Sequence, residues 1–216
     1  YPPDSAAAGV PPTPFSHSVH GAAVSTVATV LDLRGPAATL TRLAAPFHEG
    51  VRLARAWLDA GRCDAVLLGA VDELSPVLRY LCDARLSPST DGRLAPLSFA
   101  ARPPVVPGEG AAFLLLAPDG GGVGAGGPSL AVSTDRPLPG APDLLLVDGG
   151  SLSLDETGLR ALVAGAPCVS TCASLTGSTK IGAAFHAAAA VLMIRRQTVG
   201  PCPADVPGGD LQVPRS

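Results

Sequence analysis

Residues 181–194 read IGAAFHAAAAVLMI, an apolar run of about 14 residues broken only by His186. A helix of this sequence has no polar face, so it needs cover on all sides. The run is shorter than the roughly 20 residues that a membrane-spanning helix requires. Burial between two layers of the protein is the remaining solution. Residues 17–33 share this character in part. Together they call for an α/β sandwich with helices held between two sheets.

The rest of the composition fits a large aliphatic core. Hydrophobic residues make up 47% of the 216, charged residues 15% and aromatics 4%. A chain of this length can bury roughly 70% of its unfolded surface without staples. So apolar a composition implies a large core, or a surface partly covered by another subunit. A net charge of -3 gives no reason to expect a nucleic-acid partner. The five cysteines, 63, 82, 168, 172 and 202, show no CxxC pair and no histidine at zinc-ligand spacing. Reduced thiols, a cytoplasmic location, and no metal or cofactor are therefore expected. The first fifteen residues carry five prolines and no Lys or Arg, so no signal peptide is expected.

Along the chain, strand and helix patterns alternate. Residues 1–15 are Pro- and Ala-rich and read as irregular. A helix is expected over 16–33, capped by Ser16 or Ser18 and ended by Arg34-Gly35-Pro36. AATLT (37–41) reads as a short strand. His48 to Ala60 is amphipathic, with Val51, Ala54, Trp57 and Leu58 on one face and Gly61 as its stop. CDAVLLGAV (63–71) reads as a fully buried strand. A short helix over Pro76–Cys82, a loop over 86–107 and a strand over 108–118 follow. The glycine-rich linker spans about 119–128. SLAVST, LLLVD and PCVST read as strands, with helices at about 154–164 and 178–197. This divides a domain at 16–199 into halves of about 16–118 and 129–199, with a tail at 200–216.

Four segments in this order resemble the β-ketoacyl synthase family of thiolase-like enzymes. They are LRGPAATL, LDAGRCDAVLLGAVDEL, PGEGAAFLLL and CVSTCASLTGSTKIGAAFHAAAAVLMIRRQ. The resemblance spans about 34–197 and implies a truncated thiolase-like sandwich with layers α-β-α-β-α. PTPFSHSVHGAAVSTVATVL further resembles the entry of chain length factors from aryl polyene and other highly reducing type II polyketide systems. Gly21 stands where that group has Asn. Such subunits pair with a catalytic ketosynthase that elongates acyl chains on a carrier protein.

Ketosynthase chemistry needs a cysteine thiolate to accept the acyl chain. It also needs two histidines, supported by a lysine, for decarboxylation and oxyanion stabilisation. By the resemblance, the nucleophile position falls at Ala44 and the first histidine at Asp148. The lysine falls at Ala173 and the second histidine at Ser178. No Cys lies before residue 63, and no His lies between 49 and 185. The expectation is a chain that is no enzyme on its own. The resemblance also implies a dimer and tunnel surface at Thr39, Leu40, Thr41, Arg42, Leu43, Pro46 and Phe47, with an edge strand open to a partner.

Other readings stay open. Cys172 lies just before a helix entry, where a thiol pKa falls, so it could serve an autonomous acyltransferase. The other reading is an inert interior cysteine that behaves as a small hydrophobe. TGST (176–179) precedes a helix and could hold an anion. Phe47 could cap an acyl tunnel or pack in the core. Arg52, Arg55 and Arg62 could meet an acidic carrier protein or form a solvated helix face. His17 and His20 fit a partner contact or helix-entry capping, and His186 a hydrogen-bonded interior histidine.

Overall fold

The computed structural model describes residues 20–41, 46–94, 104–119, 126–131, 142–148, 166 and 168–199. In chain order these form α1 (Ala22–Val30), α2 (Pro46–Asp59), β1 (Val66–Asp72), α3 (Pro76–Arg85) and β2 (Gly110–Leu116). They continue with β3 (Leu145–Leu146), β4 (Val169–Ser170), α4 (Ala173–Thr176) and α5 (Gly182–Arg196). The expected elements at 1–15, 154–164 and 200–216 lie outside the described residues, as does most of the linker.

β1 and β2 form an antiparallel ribbon in which Leu68 faces Leu114 and Ala70 faces Ala112. Side chains alternate across a strand, so these four share one face. α2 and α5 pack on that face. Phe47, Val51, Ala112, Ile181 and Ala184 form the buried cluster, bordered by Leu68, Ala70, Leu114 and Phe185. Each large aliphatic or aromatic side chain fully buried here contributes about 1.5–3 kcal/mol relative to exposure. α2 presents Phe47, Gly50, Val51 and Ala54 to the core, the i, i+3, i+4, i+7 stripe of an amphipathic helix. Gly50 lets Leu68 approach: a β-carbon there would lie 2.8 Å from Leu68 Cδ1. β3 and β4 pair in parallel, Leu145 with Val169 and Leu146 with Ser170.

The helix ends are chemically explicit. Ser75 Oγ accepts from Leu78 N–H and Pro76 occupies the first turn, which sets the start of α3. α2 stops where expected, with Gly61 at φ +62 and Arg62 N–H donating to Trp57 C=O at 2.9 Å. α1 ends the same way on a residue that is not glycine. Asp32 takes φ 49, Leu33 N–H donates to Ala28 C=O at 2.8 Å, and Asp32 N–H donates to Thr29 C=O at 3.3 Å. The stop thus falls before Arg34-Gly35-Pro36.

Three expectations need correction. Residues 37–41 are exposed and form no strand; an extended edge needs a hydrogen-bonded neighbour, and no described strand supplies one. α1 buries none of its residues, and in α5 only Gly182, Ala184 and His186 are fully buried. Leu192 and Ile194 stay about half exposed, at 51% and 52%, so cover on all sides is missing in the second half of α5. β1 is likewise covered on one face only. Its outer face, with that of β2, exposes Leu67, Val71, Phe113 and Leu115.

Candidate functional site at the entry of helix α5

The turn TGST docks on the segment before β2 through backbone alone. Ser178 N–H donates to Val106 C=O at 2.7 Å, and Gly108 N–H donates to Ser178 C=O at 3.1 Å. Glycine is required on both sides. A β-carbon at Gly108 would collide with the Thr176 carbonyl. One at Gly177 would lie 2.8 Å from Gly108 Cα and 2.9 Å from the Val106 carbonyl oxygen. Gly177 also sits at φ 75, ψ -174, a region almost confined to glycine.

This docking sets the segment leading into α5 against the end of β1. Asp72 Oδ2 accepts from Thr179 Oγ1 at 2.7 Å and from Lys180 N–H at 3.0 Å. Thr179 Oγ1 in turn accepts from Ile181 N–H at 3.3 Å. Thr179 is almost completely buried. Both donors lie in the segment before the helix, whose N-cap residue, Ile181, has no side-chain cap, so Asp72 pins the approach to α5 rather than its own N–H groups. The Asp148 carboxylate also abuts this entry, filling the space a side chain at Gly182 would occupy. Asp72 thus places a carboxylate of the chain itself against the TGST turn that could otherwise hold an anion.

One turn into α5, His186 is buried and bonded at both ring nitrogens. Nδ1 lies 2.7 Å from the Gly182 carbonyl, which can only accept, so Nδ1 carries the proton. Nε2 then accepts, from Cys172 N–H at 2.9 Å and from the Thr171 hydroxyl at 3.3 Å. Thr171 Oγ1 closes the network by accepting from Ala173 N–H at 3.1 Å. His186 is thus a hydrogen-bonded interior histidine that ties the end of β4 to α5. To take a proton from a thiol it would have to give up these acceptor bonds. Cys172 itself is partly buried at the start of α4, a helix of one turn.

The positions singled out in the sequence fall as follows. Asp148 and Ser178 flank the entry of α5, and Ser178 is buried. Ala173 opens α4 and is fully buried. Ala44, Arg42, Leu43 and His17 lie outside the described residues. Thr39, Leu40 and Thr41 are exposed, and Pro46 is the first residue of α2. Phe47 packs in this chain's own core, edge-on to His48 with ring centroids 6.1 Å apart. Arg52 pairs with Glu49 at 3.6 Å, Arg55 pairs with Asp59 at 3.3 Å, and Arg62 stacks over Trp57 at 5.8 Å. Such exposed pairs contribute little, as expected of a solvated helix face.

The sequence reading missed Asp72 and the glycine-on-glycine contact. A carboxylate at the end of an otherwise apolar strand, VLLGAVD, was the available signal for the first. Among the described residues no group of His, Cys, Asp or Glu could hold a metal ion, and no helix is long and apolar enough to cross a membrane.

Strands that feed helices, helices packed on an apolar ribbon, and a helix entry pinned from two sides define an α/β protein of the layered kind. The sequence model of the β-ketoacyl synthase N-terminal domain matches residues 3–119, more than half of the chain. The chain belongs to this family, and its fold is the family's thiolase-like α/β fold in truncated form. No curated protein matches it.

Proposed function

We propose that this chain is a non-catalytic ketosynthase-like subunit, a chain length factor. It would pair with a catalytic β-ketoacyl synthase and bound that enzyme's tunnel while an acyl chain grows on a carrier protein. The observation that carries the reading is the closed hydrogen-bond network at the entry of α5. Where the family resemblance calls for Lys and His, the chain has Ala173 and Ser178. The polar groups around them serve the fold: Asp72 holds Thr179 and the Lys180 amide ahead of the helix, and His186 is committed at both nitrogens. Decarboxylative condensation needs an activated nucleophile and donors aimed at a developing oxyanion. At this turn the Ser178 and Lys180 amides and the Thr179 hydroxyl already have acceptors within the fold, which supports the non-catalytic reading.

The pairing rests on surface left open. α1 buries nothing, and Val30, Leu31, Leu33 and Leu40 are exposed along the stretch that leads to residues 37–43. An apolar stretch of this length is expected to be covered by another subunit.

The test is co-expression of the tagged chain with a catalytic ketosynthase of the same organism, followed by co-purification and product analysis. The expected result is a stable complex whose acyl products change in length when this chain is varied at Leu40 or Thr41. Iodoacetamide labelling and acyl-transfer assays on the wild type and Cys172→Ala address the rival acyltransferase. Rapid, selective labelling at Cys172 with transfer lost in Cys172→Ala would overturn the proposal, as would a stable monomer that captures no ketosynthase.

A further inference from the structure

We draw no further inference here: the strongest candidate, the uncharged outer face of the β1–β2 ribbon formed by Leu67, Val71, Phe113 and Leu115, carries nothing because nothing in the structure shows what covers it.

Discussion

Gly177→Ala tests whether the TGST turn is held on residues 106–108 as described. Two costs combine at this position. Alanine at φ 75, ψ -174 carries backbone strain of about 1–3 kcal/mol. Its β-carbon would also press on Gly108 Cα, the Val106 carbonyl oxygen and Gly108 N at 2.8, 2.9 and 3.0 Å. These are backbone atoms held by the bonds to Ser178, so they yield only by loosening the docking, at a further ~1–3 kcal/mol. The combined loss is about 2–6 kcal/mol, a lowering of Tm by roughly 4–24 °C for a chain of this size. Gly61→Ala is the matched control. Gly61 also has positive φ, +62, but a β-carbon there meets nothing within 4 Å. It should cost only the left-handed strain, about 1 kcal/mol. Thermal and urea unfolding of both variants beside the wild type measure the difference. Equal, small shifts for the two would refute the docking contact and the argument built on it.

Asp72→Ala should destabilise by about 1.5–3 kcal/mol in denaturant unfolding, because Thr179 Oγ1 and Lys180 N–H lose a charged acceptor. Asp72→Asn, which keeps an oxygen, should recover part of that loss. His186→Ala should cost at least as much, since it leaves the Cys172 amide and Thr171 hydroxyl without their acceptor in a buried setting; the same unfolding assay reads it. Arg55→Ala, by contrast, should shift stability by less than about 0.5 kcal/mol, because the Asp59 pair is exposed. Asp91 titrates below the ordinary aspartate value, held down by the Arg93 amide and the Ser89 hydroxyl. Its contribution is therefore present above the unfolded value and fades as pH falls through the lower folded one. Carboxyl NMR shifts against pH should show that depressed midpoint, and Ser89→Ala should raise it.

The sequence makes legible whatever depends on local pattern. The amphipathic face of α2, the Gly61 stop and both strands of the ribbon follow from periodicity and turn chemistry, to within a few residues. What it obscures is cover. A continuous apolar run such as VLLGAV cannot say whether one face or both are packed, and β1 turns out to be covered on one. The segment 37–41 reads as a strand by composition, yet a strand exists only by pairing. At the candidate site, the identities of Ala173 and Ser178 are visible by inspection. The Asp72–Thr179 contact is not, because 107 residues separate the partners. The Asp32 stop was hidden for another reason: aspartate visits the left-handed region less often than glycine, so Gly35 drew the boundary instead.

The buried cluster joins Phe47, Val51 and Ala112 to Ile181 and Ala184. This has a consequence during synthesis. The ribbon β1–β2 is complete by Leu116, but half of what packs on Ala70, Ala112 and Leu114 is translated some 65 to 80 residues later. At ribosomal speeds of about 5–20 residues per second, that interval is roughly 3 to 16 s. Through it the described inner face of the ribbon lacks its α5 cover, the kind of apolar surface on which aggregation starts and chaperones act. Among the described residues, those within the family match at 3–119 therefore share their buried cluster with the helix at 182–196.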